Sequence, residues 1–126
     1  MSDTNDVFSS IAETAPQRIW DGVIGRSRYG SELTLAVVEL EPDTVIPEHS
    51  HRNEQMGLLI EGSVTFRVDS DERLLDPGAS WCIPPHTPHE VRVGPSGAII
   101  VEAFAPPRDD WRALHETPPA APHWPR

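Results

Sequence analysis

The spacing of the turn-forming residues constrains this chain more than any other feature. It has 14 prolines and 8 glycines, and they separate short apolar runs along most of its length. Proline removes a backbone hydrogen-bond donor and clashes with the preceding helical turn, so a helical bundle is disfavoured. Short strands with Gly and Pro between them predict an all-β sandwich or closed barrel. The clearest strand is LTLAVVEL at residues 33–40, and residues 109–114 are predicted to form a single helical turn.

Composition along the chain predicts one domain with two flanking segments. Residues 1–16 are polar and acidic and are expected to form a flexible arm. The strand-like runs occupy residues 17–115, which we assign to the barrel. Residues 116–126 are rich in proline and are expected to be extended or disordered. Inside the barrel, Glu61-Gly62-Ser63 is expected to be a hairpin turn.

The charge balance disfavours several classes of partner. The formal net charge is −10, and all ten basic residues are arginines. Nucleic acids and anionic membrane surfaces attract the opposite charge, so neither is an expected partner. No apolar run approaches the roughly 20 residues of a membrane span, and residues 1–10 lack the features of a secretory signal. A cytoplasmic protein that acts on a small molecule is therefore expected.

A pair of histidines provides the first candidate site. His49 and His51 are two residues apart, so in a strand both imidazoles point to the same face. Gln55 keeps this alternation if the strand stays regular, whereas Glu54 does not. We therefore expect His49, His51 and Gln55 to point inward together, with Glu54 pointing away.

A His-x-His pair alone is often exposed to solvent, so the metal hypothesis depends on a further ligand. His89 follows a Pro-Gly turn at residues 77–78 and a short strand that ends at Pro84. It is the natural third imidazole, and neutral imidazole is a common ligand of Zn, Fe, Ni and Cu. His86 is a nearby alternative, either as a loop residue or as an additional ligand or hydrogen-bond donor.

These residues resemble the two motifs of the cupin superfamily. The run PEHS-H at residues 47–51, with Glu54-Gln55 and Glu61-Gly62, is similar to the first motif. Pro77-Gly78, Ile83-Pro84 and His89 are similar to the second. The resemblance implies a single cupin barrel of the jelly-roll type. It also implies one divalent ion (Zn, Ni, Fe or Mn) bound by His49, His51, Gln55 and His89.

Many cupins have a glutamate where this chain has Gln55. A neutral amide leaves more net positive charge at the ion, which strengthens it as a Lewis acid and lowers the pKa of bound water. The substitution also weakens the case for redox chemistry at a carboxylate-bound iron. The ligand set therefore favours Lewis-acid chemistry.

The segment at residues 101–110, VEAFAPPRDD, is similar to the ending of the KdgF-like cupins, which convert unsaturated uronates into open-chain keto forms. This similarity implies Glu102 and Arg108 as a catalytic pair, although the family has Asp in place of Glu102. Glu102 is also the only charge in the run AIIVEAFA, so it either faces solvent or occupies a cavity with a raised pKa. Arg108 is either a surface residue or a bidentate clamp for a substrate carboxylate.

The expected function is that of a metal-dependent isomerase or lyase acting on a small oxygenated, carboxylate-bearing molecule. Glu102 would move a proton and Arg108 would hold the carboxylate. The alternatives are an Fe- or Ni-dependent dioxygenase, a non-catalytic ligand-binding module and a polyketide cyclase. Barrels of this kind commonly pair through an outer sheet edge, so a homodimer is expected.

Overall fold

The computed structural model describes residues 7–126, and within this range the regular structure is almost entirely β. A 3-10 turn at Ile11–Glu13 precedes the strands, and the helical turn predicted after the barrel is present as α1 (Asp109–Arg112). The strands are β1 (Gln17–Trp20), β2 (Val23–Tyr29), β3 (Thr34–Leu40), β4 (Val45–His49), β5 (Glu54–Val68), β6 (Asp71–Leu75), β7 (Ser80–Ile83) and β8 (His89–Ala105).

Two long strands, β5 and β8, run through the whole barrel and pair with each other along most of their length. The first part of β5 also pairs with β7 and its second part with β6. In the same way, the start of β8 pairs with β4 and its end with β3, and β2 and β1 continue the sheet beyond β3. All these pairings are antiparallel, and strands that change sheets close a double-sheet barrel. The predicted all-β jelly-roll fold is confirmed.

The hairpin turn predicted at Glu61-Gly62-Ser63 is wrong. Strand β5 continues through these residues, and the pairing with β8 shifts register there twice. Gly62 has a φ of +84°, and a Cβ at this position would overlap the Gly97 carbonyl oxygen. The turn-like composition therefore marks a bend, at which glycine lets the two long strands cross closely.

The side chains between the two sheets form one apolar core, with Leu59, Val64, Ile83 and Phe104 among the most deeply buried. Burying an aliphatic or aromatic side chain of this size contributes about 1.5–3 kcal/mol, so the inner faces of the strands stabilise the barrel. No helix among residues 7–126 is long and apolar enough to cross a membrane.

The proline-rich tail has no regular element beyond one isolated bridge, and it lies along the outside of the barrel. The Thr117 amide donates to the Pro16 carbonyl at 2.9 Å, and Arg26 donates to the Ala120 carbonyl at 2.7 Å. Further along, His123 contacts Glu39 through both its amide and its ring. Apart from that bridge the tail is irregular, and several contacts join it to the sheet.

Candidate metal centre and adjoining cavity

A cavity of about 260 Å³ opens into the interior of the barrel. Most of its wall is aliphatic and aromatic, as expected where a pocket enters a protein core. Apart from the indole of Trp20 on β1, its polar side chains come from the segments that carry the two motifs and from the end of β8 and the residues after it. They are His49, His51, Gln55, Trp81, His89, Glu102, Arg108 and Asp110.

Three imidazoles meet at the cavity, as the sequence predicted. His49 ends β4 and lies directly opposite His89, the first residue of β8, while His51 follows in the loop after β4. One ring nitrogen of each lies within 4.8 Å of the other two. His86, the alternative, is exposed, has a φ of 64° and does not line the cavity.

Each of the three rings is held in the same way by the backbone. The Nδ1 atom of His49 lies 2.8 Å from the Pro47 carbonyl oxygen, and that of His89 lies 2.8 Å from the Thr87 carbonyl oxygen. His51 repeats the arrangement with the carbonyl of Asn53 at 3.1 Å. A carbonyl oxygen only accepts, so Nδ1 carries the proton and Nε2 presents a lone pair when the ring is neutral.

Burial favours the neutral form of two of these rings. It lowers the pKa of His89 to about 4, against a smaller opposing effect of its hydrogen bond to Thr87. Burial also lowers the pKa of His51, and the charge of Arg108 acts in the same direction. Rings that stay neutral can offer their Nε2 lone pairs to a cation without first losing a proton.

Two observations show that these residues fit a divalent cation. His89 Nε2 is buried and has no hydrogen-bond partner among the described residues. The His51 Nε2 lone pair lies 3.0 Å from Gln55 Oε1, so two acceptors face each other with no proton between them. Ligand atoms about 2.1 Å from one ion and at right angles to each other are about 3 Å apart. A cation bound between these atoms would satisfy both acceptors and the buried nitrogen.

The structure places Gln55, and not Glu54, at this cluster. Gln55 is on the inner face of β5 and 6% exposed, whereas Glu54 points outward and is exposed. The alternation holds along β5, but His51 lies in a loop rather than in a strand. The loop is tied to the barrel by the Asn53 side chain, which donates to the Pro106 carbonyl oxygen. The grouping therefore depends on this loop as well as on strand alternation.

Glu102 points into the barrel and is only 6% exposed, so the alternative of a solvent-facing carboxylate is excluded. Its Oε2 atom accepts hydrogen bonds from Gln55 Nε2 and, at 3.1 Å, from Trp81 Nε1. Burial raises the pKa of Glu102 to about 6, even though these hydrogen bonds and Arg108 lower it. No hydrogen bond from the described residues reaches Oε1, so this oxygen is available to a ligand in the cavity.

Arg108 also lines the cavity and is buried, so it is not a surface residue. Its guanidinium lies 4.8 Å from the ring centre of Phe104 and 4.2 Å from that of Trp111. Asp110 accepts from its Nε at 3.1 Å and from its Nη2 at 2.9 Å. One edge of the guanidinium is therefore occupied, and the edge that carries Nη1 makes no hydrogen bond to residues 7–126.

Sequence reasoning missed the partners of this pair. Trp81 is an aromatic residue on a strand, and such residues are usually core, so nothing local marked its hydrogen bond to Glu102. Asp110 could have been found, because an acid two residues after a candidate arginine is a ready partner for it.

Comparison with solved structures supports the fold. An RmlC-like cupin from Shewanella frigidimarina is 27% identical, with a TM-score of 0.78 over 84% of this chain and 96% of the other. KdgF from a Halomonas species is 24% identical, with a TM-score of 0.72 over 78% and 91%. An oxalate decarboxylase from Lactobacillus farciminis is 18% identical, with a TM-score of 0.69 over 83% and 36%. No curated protein matches the sequence.

The family assignment rests on the segment that carries the histidine cluster. The cupin domain family matches residues 36–101, which is just over half of the chain. This segment contains the three imidazoles, Gln55, the whole of β5 and β8 as far as Val101, and it ends one residue before Glu102. The chain therefore belongs to the cupin family.

Proposed function

We propose that this cupin is a metal-dependent enzyme of the isomerase or lyase type that acts on a small, carboxylate-bearing molecule. One observation carries the proposal: a buried carboxylate, Glu102, lies in the cavity wall one hydrogen bond away from Gln55, which itself contacts the histidine cluster. A carboxylate buried in an apolar cavity is costly to ionise and can both take up and release a proton near neutral pH. Such a group is suited to general acid–base chemistry.

The polar residues of the cavity wall have different roles in this proposal. His49, His51, Gln55 and His89 would hold the divalent ion, which when bound supplies Lewis-acid polarisation of a substrate carbonyl or hydroxyl oxygen. Glu102 Oε1 takes a proton from a substrate hydroxyl or carbon and returns it at a neighbouring carbon. Arg108 holds the substrate carboxylate through the edge that carries Nη1, since Asp110 occupies the other edge.

We further propose unsaturated uronates as the substrate class. The similarity of residues 101–110 to the KdgF-like ending supports it, and a uronate offers the carboxylate that Arg108 would bind. The extra methylene of Glu102, relative to the aspartate of those proteins, still leaves its carboxylate within hydrogen-bond reach of Gln55. The longer side chain is therefore compatible with the proposed position of the proton carrier.

The direct test follows the ultraviolet absorbance of 4,5-unsaturated galacturonate and mannuronate. The protein is stripped with a chelator and reloaded separately with Zn, Ni, Fe or Mn. We expect the absorbance to fall with at least one metal, and the fall to be lost in Glu102→Gln. No turnover of either sugar by any metal form would refute the uronate version.

The apolar depth of the cavity favours a second candidate. Below the polar cluster the wall consists of side chains such as Val38, Val64 and Ile100, which offer no partners to a sugar ring's hydroxyl groups. A substrate with an apolar body, such as a phenol or another enol oxidised with Fe or Ni and molecular oxygen, fits that wall better. Oxygen consumption with a panel of enols and phenols separates this dioxygenase from the uronate enzyme.

We also propose that the chain forms a homodimer. Leu35 on β3 and Met56 and Leu58 on β5 lie on the outer face of the sheet and are exposed. The register places Leu35 and Met56 on either side of Ala103 in one row. For a chain of net charge −10, a second copy is repelled least where apolar side chains dominate the surface. The charged side chains beside this row are Arg28, opposite Leu35, and Glu54, two residues before Met56. A molar mass of twice 14.0 kDa by light scattering is the expected result.

A further inference from the structure

Trp81, Gly57 and Glu102 form one row across the inner face of the sheet. Gly57 on β5 lies directly opposite Trp81 on β7 and, on its other side, directly opposite Glu102 on β8. Residues directly opposite in an antiparallel pair point to the same face. The middle position of this row has no side chain, so the two outer side chains can meet across it.

Gly57 is required because there is no room for a side chain at this position, and not because of its backbone conformation. A Cβ at Gly57 would overlap the indole nitrogen and the neighbouring ring carbons of Trp81, while the φ angle of Gly57 is not in the left-handed region. The indole therefore lies across the bare backbone of β5. From there its Nε1 reaches Glu102 Oε2 at 3.1 Å, and the ring of Phe66 packs on it with the centroids 5.0 Å apart.

Two donors thus converge on one oxygen of a buried carboxylate. Trp81 Nε1 and Gln55 Nε2 both donate to Glu102 Oε2, which leaves Oε1 facing the cavity without a protein partner among the described residues. The same arrangement orients the Gln55 amide, since its Nε2 is committed to Glu102 and its Oε1 must then face His51. The indole acts on the histidine cluster through this chain of contacts and does not touch it directly.

We propose that Trp81, seated in the gap at Gly57, is a positioning residue that holds Glu102 by one oxygen and so aims the other oxygen at the substrate. A side chain at position 57 would displace the indole, and loss of the indole N–H would leave Glu102 free to rotate. A misplaced acid–base group loses rate by about 100-fold for an error of about 1 Å. We expect the loss to appear in kcat and not in KM, because neither Trp81 nor Gly57 is placed to bind the substrate carboxylate.

The first test uses the four indole N–H signals of the ¹⁵N-labelled full-length chain. Trp81→Phe identifies the Trp81 signal by its loss, and Trp124→Phe in the tail serves as the matched control. In Glu102→Ala we expect the Trp81 signal to move upfield and to exchange faster with solvent, with the Trp124 signal unchanged. In Trp81→Phe the side-chain amide signals of Gln55 should shift as well. If the position and exchange rate of the Trp81 signal are unchanged in Glu102→Ala, the proposal is overturned.

The second test is kinetic and rests on the proposed function. Trp81→Phe and Gly57→Ala should each lower kcat by on the order of 10- to 100-fold, with KM changed by no more than about 2-fold. Metal affinity in both variants should stay within about tenfold of the parent. This is the smallest loss usual when a residue that contacts a ligand, but not the metal, is changed. Unchanged kcat, or loss of folded protein in both variants, contradicts a positioning role. If no uronate is turned over, the proposed substrate fails while the spectra still decide the role of Trp81.

Discussion

The two faces of the sheet formed by β3, β8 and β5 differ in the side chains that they bury and expose, and the difference is opposite to the usual one. The inner face buries polar groups, Gln55 and Glu102, among the core side chains at 6% exposure each. The outer face of the same strands leaves Leu35, Met56 and Leu58 exposed at 45%, 55% and 42%. A domain selected for stability alone would have these two classes of side chain the other way round.

The difference supports the two proposals, a reaction site on the inner face and an interface on the outer face. Burying a carboxylate costs free energy unless the charge is compensated, and a contiguous apolar surface is a liability in water unless a partner covers it. The inner departure coincides with the histidine cluster and the cavity, which supports the proposed reaction site. The outer departure lies on the face that we propose as the dimer interface, where apolar side chains are exposed in a strongly acidic chain. Changes to one face should leave the function of the other intact.

The largest effect is expected at the inner face, from His89→Ala. Removing the buried Nε2 deletes one ligand, so metal affinity should fall by more than the roughly 10- to 100-fold cost of outer-shell changes. A competition titration against a chromophoric chelator measures it. His86→Ala, three residues earlier and exposed, is the matched control and should bind metal as the parent does. Equal losses in the two variants would contradict the assigned ligand set.

The next effect is on turnover. Glu102→Gln keeps the side-chain shape but cannot carry the proton, so kcat on the true substrate should fall by about 10²- to 10⁴-fold. Metal affinity should change by less than about tenfold, because Glu102 contacts Gln55 and not the imidazoles. Turnover that persists in this variant would assign the proton transfer to another group.

Glu102→Gln should also raise the free energy of unfolding of the protein from which a chelator has removed the metal. The pKa of Glu102 is raised from 4.5 to about 6 by burial, so the folded state holds this proton more tightly than the unfolded state. Its contribution to stability is present below pH 4.5 and is lost as the pH rises through about 6. At pH 8 Glu102→Gln should therefore raise the free energy of unfolding by up to about 2 kcal/mol, and by little at pH 4. Urea unfolding at both pH values measures this, and a pH-independent difference would contradict it.

At the outer face, Leu58→Glu should separate the dimer without disturbing the site. A carboxylate at the centre of an apolar interface is left unpaired in both copies, so the mass by light scattering should fall towards 14.0 kDa. Leu74→Glu, at a position that is 70% exposed on β6, is the control and should leave the mass unchanged. A parent protein that is already monomeric would refute the interface.

The smallest effect is expected from the tail. The ring of His123 is 80% exposed where its Nδ1 meets Glu39 Oε1, and a side-chain contact with one exposed partner contributes about 0–1 kcal/mol. His123→Ala should therefore lower the free energy of unfolding by less than about 1 kcal/mol and leave metal binding and mass unchanged. Urea unfolding tests it, and a loss above about 2 kcal/mol would show that the tail is part of the cooperative unit.

Local pattern was sufficient for the fold class and for most of the site. Strand and turn propensities act over a few residues, so the proline and glycine spacing indicated a barrel and α1 before any contact was known. Alternation along β5 separated Gln55 from Glu54 for the same reason. The sequence also showed Glu102 as the only charge in an apolar run, but not whether its side chain points into the barrel or to solvent.

What only the tertiary structure decided depends on contacts between residues far apart in the chain. Glu61-Gly62-Ser63 has the composition of a turn, and only the crossing of the two long strands makes it a bend. Trp81 and Glu102 are 21 residues apart, and their meeting depends on the register of both strands against Gly57. Register arises from the packing of the whole barrel, so the sequence by itself determined which residues could form the site, and the fold determined how they are held.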